Sequence, residues 1–155
     1  MMTIDEIMTS EPVTLGTDAS LDQAGVLMLK HRIRHIPIVD SGNHLLGLIT
    51  QRDLLHAVSN GQSEAVVGDV MRKQLYKITR ETDMRGAGLL MQQHKIGSLP
   101  VMEDDELVGI VTDTDYVSLA INLLEQIDET EPFEDDDFDA EDDVAAFEVD
   151  DESYN

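Results

Sequence analysis

The chain repeats itself, and this confines its fold more than any other feature. Residues 7–40 align with 70–103 at an offset of 63, with identities at Met8/Met71, Ala24/Ala87, Gly25/Gly88, Leu27/Leu90, Met28/Met91, His31/His94, Ile33/Ile96 and Pro37/Pro100. One residue is then lost in a loop, the offset becomes 62, and Leu45/Leu107, Gly47/Gly109, Thr50/Thr112 and Asp53/Asp115 match. Internal repetition of this kind predicts two copies of one supersecondary unit, packed about a pseudo-twofold axis.

Each copy reads the same way. In the first, Val13-Thr14-Leu15 is expected as a short strand, and Ser20-Leu21-Asp22-Gln23 is a capping box that opens a helix with Leu21, Ala24, Leu27 and Met28 on one face. Ile36–Val39 reads as a strand with proline near its start, Ser41-Gly42-Asn43 as a turn, and Leu45–Ile49 as a strand apolar on both faces. Thr50-Gln51-Arg52-Asp53 starts a second helix. In the second copy Asp83 is the expected N-cap of a helix to His94, the strands are Leu99–Met102 and Leu107–Val111, and the last helix runs from Thr112 to about Leu124. The expected fold class is therefore α+β, a βαββα unit occurring twice, with domains at 3–60 and 66–125.

Charge separates the remainder. The 155-residue chain carries a net charge of −23, and 15 of its 33 acidic residues, with no Lys or Arg, lie between Gln126 and Asn155. A stretch so acidic buries too little apolar surface to offset its ordering entropy, so 126–155 is expected as a disordered tail. Nucleic acid is excluded as a partner because phosphate backbones are bound by clustered Lys and Arg. The chain has no cysteine, which removes disulfides, thiolate metal sites and a Cys nucleophile. No apolar run approaches the ~20 residues of a membrane span, and Met1–Glu6 lacks the pattern of a signal peptide. A cytoplasmic protein without membrane contact is expected.

The residues Ile33–Asp40 followed by Leu46–Asp53, with the second set Ile96–Met102 followed by Val108–Asp115, strongly resemble cystathionine β-synthase (CBS) domains. The lead-ins Glu6-Ile7-Met8-Thr9 and Asp69-Val70-Met71-Arg72 fit as well, so the resemblance covers about 3–125. It implies a tandem CBS pair, or Bateman module, with two clefts between the units. In the family such clefts commonly bind adenosine nucleotides or S-adenosylmethionine, the modules regulate other proteins, and many pairs dimerise. It also implies no attached catalytic or membrane domain.

The candidate site residues follow. Thr50/Asp53 and Thr112/Asp115 each form a Thr-x-x-Asp start of a helix, which is a cap in its own right. The resemblance adds a ribose, whose hydroxyls the aspartate would accept with help from the threonine. Arg34 and His35, before Ile36 and Pro37, are the expected phosphate contacts, with Arg52 as a further cation. The second copy has uncharged Gly97 and Ser98 there, so the two sites are expected to differ. Ile36, Leu99, Ile49 and Val111 read as core first, and the resemblance places some of these positions against an adenine; Pro37 and Pro100, beside Ile36 and Leu99, are counted with the nucleotide-binding residues. No metal site and no catalytic constellation is expected, and hence no enzyme. The expected function is a regulatory sensor of AMP, ADP, ATP or S-adenosylmethionine that acts on an unknown partner protein and is itself a homodimer. The alternative is a structural dimerisation module with no ligand.

Overall fold

A computed structural model of the chain describes residues 1–130. Residues 131–155, which hold most of the acidic tail, lie outside the described part. The compact unit Met1–Leu119 holds the first repeat and the second as far as the first part of its last helix.

The first repeat comprises α1 (Leu21–His31), the hairpin β2 (His35–Val39) and β3 (Leu45–Thr50), and α2 (Gln51–Ser59). A one-turn helix α3 (Val67–Val70) leads into the second, which comprises α4 (Met84–His94), the hairpin β4 (Ser98–Glu103) and β5 (Glu106–Thr112), and α5 (Asp113–Thr130). Before them all stands the two-residue strand β1 (Thr9–Ser10). The local devices explain the boundaries. Ser20 and Gln23 form the reciprocal box that opens α1, Thr50 and Asp53 the one that opens α2, and Asp83 accepts from the Gly86 amide to open α4.

The hairpins share one register. Ile38 faces Gly47 and Val101 faces Gly109, and each hairpin shifts by one residue immediately afterwards. The second hairpin turns on Asp104 and Asp105, both at positive φ, as a two-residue turn of primed type requires. The first turn is one residue longer, and the Asp40 carboxylate accepts from the amides of Gly42 and His44 across it. That is the residue at which the repeat offset changes.

Two expectations need correction. Val13–Leu15 is not a strand: only Leu15 bridges in parallel to Ile38, as Ile78 does to Val101, because the chain must turn at once into α1 or α4. The last helix does not end near Leu124 but continues to Thr130, so 126–130 are helical rather than part of a disordered tail. Nothing between Thr112 and Thr130 breaks a helix, and the first proline beyond is Pro132. On α2, Leu54 is buried in the first core while Leu55 and Val58 are exposed.

The two cores are built alike, but each is completed by the other repeat. Leu21, Ala24, Met28, Ile36, Ile38 and Ile49 surround Val67, from the lead-in of the second repeat. Met84, Ala87, Met91, Leu99, Val101 and Val111 surround Ile4, from the lead-in of the first. The backbone follows the same exchange: the Val67 amide donates to the Ala19 carbonyl, and the Ile4 amide to the Thr82 carbonyl. β1 pairs with β5, with Thr9 opposite Ile110, while Arg72 bridges to Leu48. The lead-ins are thus crossed over, and this carries segments of each repeat to the sheet of the other.

Candidate functional site

The crossover produces two clefts related by the repeat. The larger, about 560 Å³, lies between the start of α2 (Thr50, Gln51, Arg52), the lead-in of the second repeat (Arg72–Tyr76 in part) and the end of α4 with the following strand (His94–Ser98). The smaller, about 250 Å³, is its counterpart: the start of α5 (Thr112–Asp115), the lead-in at Thr9, Pro12 and Val13, and the segment Arg32–His35 after α1. Arg34, His35 and Asp113 line both.

The structure divides the expected site residues. Thr50, Arg52, Pro100, Arg34 and His35 line the larger cleft, and Thr112 and Asp115 the smaller, again with Arg34 and His35. Ile36, Pro37 and Leu99 are fully buried in the cores and line neither cleft. They sit on β2 and β4, as does Pro100, which is equally buried and still lines the larger cleft. Asp53 stands behind the wall of the larger cleft. Its Oδ2 accepts from the Thr50 amide at 3.0 Å and its Oδ1 from Arg72 Nε at 3.3 Å. Asp115 Oδ2 accepts from the Thr112 amide at 2.8 Å, and no arginine stands where Arg72 would be, because the matching residue is Thr9.

Several cleft residues were not anticipated. Lys95 and Arg32 occupy matching positions just past α4 and α1, both left-handed, at φ 52° and 53°. Glycine is the residue that usually occupies such a position, because a side chain there costs about 1–2 kcal/mol. Tyr76 stacks on His94 with ring centroids 4.2 Å apart, and its hydroxyl lies 3.1 Å from His94 Nδ1, giving the larger cleft an aromatic wall. Ser98, at the position matching His35, is 5% exposed, and its Oγ has no hydrogen-bond partner among the described residues. A buried hydroxyl left unpaired costs about 1–3 kcal/mol. The repeat offset offered a signal for Lys95 and Ser98, since each matches a basic residue of the first copy.

Between the clefts, Arg34 Nη2 lies 3.5 Å from Asp113 Oδ1. The matching residues are Gly97 and Gln51, so the pair occurs on one side of the pseudo-axis only. Gly97 leaves room for His35: a Cβ there would stand 2.9 Å from its Nε2 and would push the imidazole aside. Burial of His35 holds its pKa below the ordinary 6.5; Asp113 and Asp53 act to raise it, and Arg34 and Arg72 to lower it. The unfolded chain therefore takes up this proton more readily than the folded one. The contribution of His35 is complete above pH 6.5 and is lost as pH falls below it. Melting temperatures measured from about pH 7.5 down to about pH 5.5 are expected to fall less steeply for His35→Gln than for the parent chain. Equal slopes would contradict this.

The fold and its paired clefts are those of a tandem CBS pair. The CBS domain family model matches residues 4–60 and 67–122, and the chain belongs to that family. It is 32% identical over 126 residues to the CBS domain-containing protein YhcV of Bacillus subtilis, covering 80% of this chain and 87% of that one. It is 41% identical, with a TM-score of 0.79, to the crystal structure of a putative acetoin utilization protein (AcuB) from Vibrio cholerae, covering 83% of this chain and 98% of that one. The CBS domain pair of protein MJ0100, crystallised in complex with 5′-methylthioadenosine and S-adenosyl-L-methionine, is 26% identical with a TM-score of 0.75 over 79% and 98% of the chains. CBSX2, crystallised in complex with AMP, is 25% identical with a TM-score of 0.70 over 79% and 98%. The chain spans about a quarter of the length of other relatives, such as the homoserine O-acetyltransferase of Methanocorpusculum labreanum, 31% identical over 72% of this chain and 23% of that one. Among the described residues no helix is long and apolar enough to cross a membrane.

Proposed function

We propose that this CBS pair is a regulatory sensor of an adenosine-containing ligand, AMP, ADP, ATP or S-adenosylmethionine, and that it passes the bound state to a partner protein and catalyses no reaction. One observation carries this reading. In a chain of net charge −23 with only ten Lys and Arg, five of them, Arg32, Arg34, Arg52, Arg72 and Lys95, line the two clefts. Gathering like charges in one place raises electrostatic energy unless an anion answers them. The carboxylates at the helix starts supply acceptors for a ribose, and the complexes of MJ0100 and CBSX2 support the adenosine class. Binding would stabilise one arrangement of the two repeats over another, and that difference is what a partner reads.

A thermal-shift screen against AMP, ADP, ATP, S-adenosylmethionine and NAD tests it, because a ligand that binds only the folded chain raises the melting temperature with concentration. No shift with any of them at millimolar concentration would refute the reading. Variants sharpen it. Asp115→Ala is expected to weaken an adenosine ligand by about 1–3 kcal/mol through the lost ribose hydrogen bonds. Arg34→Ala is expected to weaken AMP far more than adenosine, because it removes a charge partner of the phosphate. A cap alone would give only a stability loss of about 1 kcal/mol for the aspartate and almost nothing for the arginine.

The sensor is further proposed to act as a homodimer. α2 exposes Leu55 and Val58, and α5 exposes Val117, Ile121 and Leu124, each more than half accessible. Light scattering at tens of micromolar is expected to give twice the 17.2 kDa chain mass; the monomer mass alone would count against it.

A further inference from the structure

We propose that the two clefts sort adenosine ligands by the charge of their tails: the larger takes a phosphorylated adenosine, the smaller an adenosine whose tail carries no negative charge. The inference rests on the adenosine reading above and assigns a different ligand class to each cleft.

Consider the charges first. The larger cleft is lined by Arg34, Arg52, Arg72 and Lys95 and by one acid, Asp113. Arg34 is paired to Asp113 and Arg72 to Asp53, while Arg52 and Lys95 have no ion-pair partner among the described residues. Two unanswered cations therefore face this space. The smaller cleft is lined by Arg32 and Arg34 against Asp113 and Asp115, and is balanced. With the Arg34–Asp113 pair set aside in both, a phosphate entering the smaller cleft meets one free cation, Arg32, and one carboxylate, Asp115, whereas in the larger it meets two free cations.

Two further observations agree. The larger cleft has more than twice the volume, room for a tail beyond the nucleoside, while about 250 Å³ falls just short of the usual range for small-molecule sites. In the smaller cleft, Asp115 Oδ1 has no hydrogen-bond partner among the described residues and is available to a ribose, while Asp53 in the larger is covered by Arg72.

Two-ligand calorimetry on the full chain decides the matter. AMP and 5′-methylthioadenosine are titrated singly, and then 5′-methylthioadenosine into AMP-saturated protein. The expected result is simultaneous binding, with the second affinity changed by less than about threefold. Lys95→Gly is expected to weaken AMP by about tenfold or more while raising the melting temperature, since it removes both a cation and a strained backbone. Asp115→Asn, which retains capping ability, is expected to weaken 5′-methylthioadenosine selectively. Mutual competition of the two ligands, or loss of both in equal measure on Lys95→Gly, would overturn the sorting and leave the adenosine reading standing. No binding of either ligand would overturn both.

Discussion

Removing residues 1–11 is expected to unfold the second repeat before the first. The segment that opens the chain contributes Ile4, fully buried, to the core of the second repeat, with Ile7 and Met8 packed against it. It also supplies β1, the strand beside β5, and backbone hydrogen bonds from Ile4 and Asp5 to Thr82 and Arg80. Truncating one buried isoleucine costs about 2–5 kcal/mol. Losing the whole segment approaches the 5–15 kcal/mol of total stability ordinary for a domain. Amide hydrogen exchange reads the consequence by position. Protection at Val101 and Val111 is expected to collapse, while Ile38 and Ile49 retain theirs longer because Val67 still closes their core. If the shortened chain does not fold at all, Ile4→Ala reports the same asymmetry in milder form. Loss appearing first at Ile38 and Ile49 would contradict the crossed lead-ins.

The second large effect concerns two strand glycines. A Cβ on Gly109 would stand 2.6 Å from Met8 Sδ and 3.0 Å from the Thr9 carbonyl oxygen; one on Gly47 would stand 2.8 Å from the Arg72 carbonyl oxygen and closer still to Met71 Sδ. The methionines can bend away, but the carbonyls belong to backbone held by the strand pairing. Gly109→Val and Gly47→Val are each expected to lower stability by about 2–3 kcal/mol, even though valine is the better strand former by up to about 1 kcal/mol. Urea unfolding should show a lower midpoint with an unchanged slope. Gly25→Ala is the control: nothing lies within 4 Å of its Cβ, and the change should raise stability by about 0.5–1 kcal/mol as an ordinary helix substitution. Valine variants as stable as the parent would show that the lead-ins do not press on these strands.

These glycines also mark how far the sequence can be read. The helix starts at Ser20, Thr50 and Asp83 were legible because a cap is decided by three or four neighbouring residues. The hairpins were legible because apolar runs and turn residues alternate at the correct spacing. The exchange of lead-ins was not, because an offset of 63 relates Met8 to Met71 without saying which sheet either meets. The clue was the pair of glycines inside apolar strands, a sign that another backbone comes close. The same crossover explains the incomplete site. Arg72, Tyr76, Lys95 and Ser98 reach the Thr50 cleft from the other repeat, so no motif local to Thr50-Gln51-Arg52-Asp53 contains them. Ile36, Pro37 and Leu99 were nominated by the family resemblance; all three are fully buried and stand outside the lining of both clefts, and a strand sequence alone does not separate a core position from a cleft wall.

A crystal structure of the full chain grown with AMP tests the central claim most directly. The account predicts AMP in the larger cleft, its phosphate within hydrogen-bond reach of Lys95 or Arg52, and its ribose hydroxyls at the start of α2, with Arg72 displaced from Asp53. AMP bound elsewhere on the surface, or both clefts empty at millimolar AMP, would contradict it.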